Sequence, residues 1–286
     1  MINKQQFEKE LDLIISNAVR EDVGSGDHSS LACIPKSANG KAKLLVKEDG
    51  IIAGVEFAKR IFKYVDKKLS VEILINDGEK VSKGNIVFYV SGSSLSILKS
   101  ERLVLNAMQR MSAIATKTNK FAQLLKGTKT KILDTRKTTP GIRAIEKWAV
   151  KIGGGENHRF ALYDMIMLKD NHIDFAGGVS NAIAKTKQYL IENNLDLKII
   201  VEARSFQEIK EIMQHQGIYR ILIDNFNFEN TKKAVELIGD FCQTESSGGI
   251  TLKTAKKYAE CGVDYISSGA LTHSVFNMDL SLKAVT

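Results

Sequence analysis

The sequence predicts an α/β protein in two parts: an N-terminal α+β segment over residues 1–115, then a parallel sheet covered by helices. Three observations carry this. From residue 131 onward, short and mostly apolar runs alternate with helical patterns; the runs are "KILD", "MIMLKD", "KIIVEA", "RILIDN", "FCQTES" and "YISSG". Buried parallel strands read this way, without the strict alternation of a half-exposed sheet. Before residue 131 the strand-like runs sit instead between turn-forming residues. Only two prolines occur, so helices can run long and uninterrupted.

In order, residues 7–20 form an amphipathic helix with Phe7, Leu11, Ile14, Ile15 and Ala18 on one face. The turn-rich "EDVGSGDHSS" follows. Residues 40–98 hold the strand-like runs "AKLLV", "VEILI" and "NIVFYV", a helix over 57–65 and a hairpin region at "NDGEKVSKG". Residues 95–125 are one long helix. In the second part, helices are expected over Ile142–Ile152, Ile183–Ile191, Phe206–His215, Thr231–Ile238 and Leu252–Glu260. Ser205 and Glu208 have the spacing of a capping box, and Gly239 and Gly262 stand where helices should stop. No repeat of fixed period occurs, which excludes a solenoid.

Bulk properties narrow the class. Hydrophobic residues make up 43% of the chain, an ordinary globular share. No apolar run approaches the ~20 residues of a membrane span. The charged start "MINKQQFEKELDL" lacks a signal-peptide core, and three cysteines without C-x-x-C spacing point to a reducing cytoplasm. The net charge of +8 admits nucleic acid, acidic metabolites or a plain lysine surface. Aromatics at 7% and the absence of a long basic run speak against nucleic acid.

The chemistry gathers where strands end. The ends read Asp134-Thr135-Arg136-Lys137, Lys169-Asp170-Asn171, Glu202, Asp224-Asn225, Glu245 to Gly249, and Ser267-Ser268-Gly269. In a (β/α) barrel such ends share one face, where ligands bind. "KIGGGENHRFALYDMIMLKDNHI" adds His158, Arg159 and Lys169 as a cationic group. Its three glycines would let a backbone approach a ligand or a neighbouring strand. It is not a dinucleotide fingerprint, since His158 stands where a third glycine is needed, and no zinc spacing appears. Glu202 and Asp224 each follow an apolar run. Each must pair with a cation, bind a metal or bind hydroxyls, and a neighbouring lysine would serve as well as a ligand. "ESSGG" and "SSGALTHS" suit a phosphate, though either could be a plain tight turn. Taken together, cations, two acids and a phosphate turn fit an anionic substrate reacting with a phosphorylated sugar.

The strings "EDVGSGDHSS", "SERLVLNAMQRMSAIAT", "LDTRKTTPGIRAIEKWAVKIGGGENHRFALYDMIMLKDNHI", "VEA", "ILIDN", "ESSGGI" and "GVDYISSGALTHS" run in order over nearly the whole chain. They resemble the quinolinate phosphoribosyltransferase family, also called nicotinate-nucleotide pyrophosphorylase (carboxylating). The resemblance implies a type II phosphoribosyltransferase: an N-terminal α/β sandwich over 1–115, an incomplete parallel α/β barrel over 116–272, and a tail, 273–286, packed on the sandwich. It implies transfer of the phosphoribosyl group of phosphoribosyl pyrophosphate to quinolinate with decarboxylation. Nicotinate mononucleotide, pyrophosphate and CO2 are the products, in de novo NAD biosynthesis with Mg²⁺. It implies a homodimer in which one subunit's sandwich covers the other's barrel mouth, a hexamer of such dimers being the open alternative.

Carried onto this chain, the resemblance has Thr135, Arg136, His158, Arg159 and the partner's Arg102 bind quinolinate. Lys137 and Lys169 face carboxylate and pyrophosphate. Glu202 and Asp224 hold ribose hydroxyls and Mg²⁺. Ser247, Gly248, Gly249, Ser268, Gly269 and His273 cradle the 5′-phosphate. The chain departs from the family at Arg204, where a second acid is more usual. Two other enzyme-level readings stand beside it: a related pyrophosphorylase using another heteroaromatic acid, and an inactive phosphosugar-binding paralogue. The intact Arg136, Lys169, Glu202 and Asp224 speak against the second.

Overall fold

The computed structural model describes residues 3–285. In chain order the elements are α1 (Lys4–Val23), α2 (His28–Cys33), β1 (Asn39–Val46), β2 (Gly50–Ile51), α3 (Val55–Val65), β3 (Ser70–Ile73), β4 (Lys80–Val81), β5 (Ile86–Ser93) and α4 (Ser94–Leu124). There follow β6 (Lys131–Leu133), α5 (Arg143–Ile152), β7 (Ile166–Leu168), α6 (Asp170–Ala176), α7 (Val179–Glu192), β8 (Ile199–Ala203) and α8 (Phe206–Ile212). The last are β9 (Arg220–Asp224), α9 (Phe228–Ile238), β10 (Gln243–Ser247), α10 (Ala255–Glu260), β11 (Tyr265–Ser267), α11 (Ala270–His273) and β12 (Leu280–Ala284). They fold into two compact units. Residues 3–119, 137–154 and 271–285 form one; residues 120–136 and 155–270 form the other.

The first unit is built on a four-stranded antiparallel sheet of order β12-β1-β5-β3. Strand β12 pairs with β1 from Val46↔Leu280 to Ala42↔Ala284, so the C-terminal tail is part of this sheet. Helix α3 buries Phe57, Ala58, Ile61 and Phe62, and the Phe62 ring meets Phe88 of β5 edge to face at 5.8 Å. The expected hairpin at "NDGEKVSKG" is only partly one. Strands β3 and β5 are antiparallel neighbours, but their connection carries β4, which pairs with β2. Asp77 explains the detour. Its carboxylate accepts the N–H groups of Val55 (2.9 Å) and Glu56 (3.3 Å), capping α3 where the N-cap residue is Gly54 and has no side chain to offer. Ser112 and Thr116, one turn apart on α4, serve the backbone beside β2. Ser112 Oγ accepts the Ala53 N–H at 2.9 Å, and Thr116 Oγ1 accepts the Ile51 N–H at 2.8 Å.

Helix α5 belongs to this unit, although its sequence lies inside the stretch 116–272. Its apolar face, Ala144, Ile145, Ala149 and Val150, is buried, and Trp148 meets Phe7 of α1 edge to face at 5.6 Å. The fully buried Glu146 pairs with Arg110 of α4 at 2.8 Å and accepts the Thr139 N–H at 3.0 Å. The helix ends at Gly153, where a Cβ would stand 2.4 Å from the Ala115 carbonyl oxygen and 2.7 Å from Thr118 Cβ. The first glycine of "GGG" therefore admits a helix, not a ligand or a strand.

The second unit is a six-stranded parallel sheet of order β6-β11-β10-β9-β8-β7, with helices in the crossovers. Strands β6 and β7, consecutive among the strands of this unit, are its two edges: a parallel barrel left open between its first two strands. Residues 155–165 run between those edges. Leu133 bridges to Glu156 in parallel, and Arg159 Nη1 donates to the Met165 carbonyl at 3.2 Å, just before β7. Every residue of β8 is buried, as expected of a strand covered on both faces.

The sequence reading passes over α6, whose seven residues are too few for helical periodicity to register. At α8, Ser205 Oγ accepts the Glu208 N–H at 3.2 Å as expected. The returning half of the box differs: Glu208 accepts the N–H of Arg204, at 2.6 Å. Gly239 closes α9, and Gly262 lies just past α10, each at positive φ.

At Gly153 φ is −72°, so an alanine there meets no backbone strain and only the close approach opposes it. Gly153→Ala should lower the unfolding free energy by about 1–3 kcal/mol, read as a lower urea midpoint at unchanged slope. A wild-type midpoint would rule out the contact with α4.

Candidate active site

Because all six strands of the second unit are parallel, their C-terminal ends lie along one edge. The register sets Leu133 beside Ser267, Ser247 beside Asp224, Ala203 beside Ile223 and Leu168 beside Val201. Arg136, Ser268, Gly248, Asp224, Glu202 and Lys169 therefore follow one another along that edge.

The cationic end is organised by Asp134, a fully buried carboxylate that follows β6. It accepts the His158 N–H at 2.8 Å and the Asn157 amide at 2.6 Å, while its own N–H donates to the Glu156 carbonyl at 3.2 Å. Those bonds hold residues 156–159 against β6 and bring Arg159 towards Arg136. Burial depresses the Arg159 pKa below its usual value, and the Arg136 charge depresses it further. Arg136 Nε is buried with no hydrogen-bond partner among the described residues. Two guanidinium groups that feel each other's charge, one with an unused buried donor, are an arrangement that can accept an anion.

His158 faces inward. Its Nδ1 accepts the Arg159 N–H at 2.6 Å, and its Nε2 lies 3.4 Å from the carboxylate of Glu245. Glu245 is fully buried in β10 and also pairs with Arg220 Nη1 at 2.7 Å. The Arg220 guanidinium stacks 3.9 Å over the Tyr265 ring. Burial alone would raise the Glu245 pKa, but His158 and the Arg220 guanidinium beside it outweigh burial and hold the carboxyl down at about 2.

The acidic part joins β8 and β9. Glu202 is buried, and its Oε1 is 3.4 Å from the Asp170 N–H. Its pKa is raised, first by burial and then by the charge of Asp224, with Lys169 partly offsetting both. Asp224 accepts from Ser247 Oγ at 2.9 Å and from the Asn225 amide at 2.6 Å. Lys169 is exposed at the start of α6. In the turn after β10, Gly248 has φ of +97° and a Cβ there would fall 2.1 Å from Asn225 Oδ1; Gly249 has φ of +59° and open space on its Cβ side. Ser268 is buried and donates its hydroxyl to the Ile250 carbonyl at 2.9 Å. Gly269 follows it, and Thr135 is half-buried beside Arg136.

Arg204 forms paired bonds to Asp174 of α6, at 3.0 and 2.9 Å, and others to Glu208 at 3.0 and 2.7 Å. A positive residue at this position thus meets two acids of its own chain. The remaining candidates, Arg102, Lys137 and His273, lie in the first unit. There the Lys137 carbonyl accepts from Thr272 Oγ1 at 2.7 Å, next to His273. Arg102 is exposed on α4 and has no ion-pair partner among the described residues, Glu101 included. The sequence reading passed over Asp134, Arg220, Asn225 and Glu245 as site residues. Asp134 and Asn225 stood at strand ends; Arg220 inside "RILID" was a charge in an otherwise apolar run, the one signal it offered.

Fold and edge define an α/β barrel enzyme with charged residues of both signs gathered at the ends of its strands. Models of the quinolinate phosphoribosyl transferase N-terminal and C-terminal domains match residues 27–112 and 114–283. A relative from Nicotiana glauca, quinolinate phosphoribosyltransferase [decarboxylating] 2, mitochondrial, is 46% identical over 96% of this chain and 82% of its own length. The probable nicotinate-nucleotide pyrophosphorylase [carboxylating] of Bacillus subtilis is 37% identical over 96% of this chain and 93% of its own. The crystal structure of NadC from Streptococcus pyogenes superposes with a TM-score of 0.89 at 36% identity, covering 100% of this chain and 99% of that one. The chain belongs to the quinolinate phosphoribosyltransferase family.

The raised Glu202 pKa has a consequence for the ligand-free protein. A carboxyl whose folded-state pKa lies above its unfolded value weakens the fold once ionised; the loss sets in as pH rises from the ordinary carboxylate range through the raised value. Glu202→Gln should therefore raise the melting temperature of the ligand-free protein at pH 7 while lowering its activity. The gain should shrink on acidification towards the ordinary carboxylate pKa. A melting temperature unchanged across that range would show that Glu202 is not strained.

Proposed function

We propose that this protein transfers the phosphoribosyl group of phosphoribosyl pyrophosphate to quinolinate with decarboxylation, giving nicotinate mononucleotide, pyrophosphate and CO2 in NAD biosynthesis. The observation that carries it is the buried Arg136 Nε without a hydrogen-bond partner among the described residues, on a strand-end segment whose charge is felt by a second guanidinium, Arg159, since a planar dicarboxylate offers paired acceptors to such forks. The family membership supplies the identity of the acid.

In this reading pyrophosphate leaves C1 of the ribose with the electron pair of the C–O bond. The pyridine nitrogen donates its lone pair to that carbon and becomes cationic. The C–C bond to the adjacent carboxylate then breaks, CO2 departs, and the pair left on the ring carbon, stabilised by the cationic nitrogen beside it, takes up a proton. No covalent nucleophile is needed. The protein holds two anions together, neutralises them and keeps water out. Arg136, Arg159 and Thr135 bind the acid, and His158 sets the backbone of Arg159. Lys169 and Lys137 face pyrophosphate and carboxylate. Glu202 and Asp224 hold the ribose hydroxyls, and residues 247–249 with Ser268, Gly269 and His273 hold the 5′-phosphate.

A cation fits the two acids, because Glu202 carries a raised pKa beside Asp224. Among the described residues no group of three or more acids, histidines or cysteines is placed to complete a metal cage, so further ligands would come from substrate oxygens, as Mg²⁺ prefers. When bound, Mg²⁺ would neutralise charge on the pyrophosphate. The working form in this reading is a homodimer, with Arg102 of one subunit covering the other's acid site. A reducing cytoplasm suits the three unpaired cysteines, and no helix among the described residues is long and apolar enough to cross a membrane.

Incubation with quinolinate, phosphoribosyl pyrophosphate and Mg²⁺ should yield nicotinate mononucleotide by mass, and excess chelator should abolish it reversibly. Nicotinate or another pyridine acid giving faster turnover would refute the choice of substrate. Arg136→Lys keeps the charge but loses the fork, and should cost about 1.5–3 kcal/mol, some ten- to hundredfold in kcat/KM for quinolinate. Wild-type efficiency would remove Arg136 from the acid site. Arg102→Ala and Lys169→Ala homodimers should each be nearly inactive. Mixed under subunit exchange, they should regain activity towards one intact site per heterodimer. Demonstrated exchange without recovery would confine Arg102 to its own chain.

A further inference from the structure

Asn225 is singled out by its backbone. It is one of two non-glycine residues at positive φ among the described residues, with φ of 57°, a conformation that asparagine tolerates far better than most side chains. Three contacts fix it there. Its side-chain amide donates to Asp224 Oδ2 at 2.6 Å, its backbone N–H donates to the Ser247 carbonyl at 3.0 Å, and its Oδ1 occupies the space a Cβ on Gly248 would need, 2.1 Å away. Ser247 Oγ closes the ring by donating to the other oxygen of Asp224 at 2.9 Å. Asp224, Asn225, Ser247 and Gly248 thus form one interlocked unit across the ends of β9 and β10.

We propose that Asn225 is a positioning residue that locks the acid Asp224 to the turn 247–249, so that the ribose and 5′-phosphate subsites are held at a fixed separation. The assignment rests on the reading of these subsites given above. Only asparagine meets all its demands. Glycine would adopt the backbone but bind nothing. Alanine would be strained and bind nothing, and aspartate would set a second negative charge beside Asp224 with no N–H to offer. Gly249, next along the turn, keeps its open side, so the lock leaves the ligand face free.

Asn225→Gly separates the lock from the backbone geometry. It should raise KM for phosphoribosyl pyrophosphate about 10- to 100-fold, leave KM for quinolinate within about twofold, and weaken ribose 5-phosphate binding by calorimetry in the same proportion as the first. If Asn225→Gly does not fold, Asn225→Asp, which keeps shape and backbone tolerance, should show the same split. An unchanged KM for phosphoribosyl pyrophosphate overturns the assignment, and so does an equal rise in both KM values, which marks a merely structural role. A wild-type protein that neither turns over nor binds ribose 5-phosphate sinks the proposed reaction and this assignment with it. Wild-type turnover without the split sinks the assignment alone.

Discussion

The buried carboxylate of Asp134 is the contact on which the cationic end of the site depends. It sits at the end of β6 and accepts from the backbone of His158 and the side chain of Asn157. Those bonds tie residues 156–159 to the open edge of the sheet. Together with the Arg159 N–H bond to His158 Nδ1 and the Nη1 bond to the Met165 carbonyl, they hold Arg159 where like charges free to move would separate. The cost of bringing two guanidiniums together is met by hydrogen bonds made elsewhere, and the result is a site whose deficit an anion can fill.

Strands β8 and β9, towards the other edge of the sheet, show the same logic with the opposite sign. Glu202 is buried near Asp224 and is pushed towards its neutral form. The protein thus holds an unpartnered buried donor on Arg136 after β6 and two acids that oppose each other's ionisation on β8 and β9. On the proposed function, a substrate pair carrying carboxylates at one end and hydroxyls with a cation at the other would relieve both strains. Such strain lowers ligand-free stability where charges are arranged for a bound state.

Not every charge at this edge is under strain. Glu245 is fully buried, yet His158 and Arg220 hold it ionised, and Arg220 lies flat on Tyr265. Removing Glu245 or Arg220 would leave the other's buried charge without its counter-charge, a far larger penalty than the net contribution of the pair. The cluster sets the His158 ring, and through its Nδ1 the backbone of Arg159. Arg204 is a surface counterpart, joining α6 to α8 through Asp174 and Glu208.

The sequence by itself determined the parallel sheet and the chemical types at its edge. Apolar runs such as "KIIVEA" and "RILIDN" end in charged residues, and that local pattern survives any tertiary arrangement. The long helix α4 and the caps at Ser205 and Gly239 were legible for the same reason, being settled within a few residues. Tertiary structure decided what depends on distant partners. Helix α5 joined the first unit because Trp148 and Glu146 find Phe7 and Arg110 there. Gly153 met a helix, Arg204 met Asp174 30 residues away, and Arg220 turned from an oddity in an apolar strand into the counter-charge of Glu245. Asn225 took a left-handed backbone because Gly248, in the turn after another strand, leaves room for its side chain. Periodicity reports which residues are buried; which buried charges face one another is set only when strands far apart in the chain come into register.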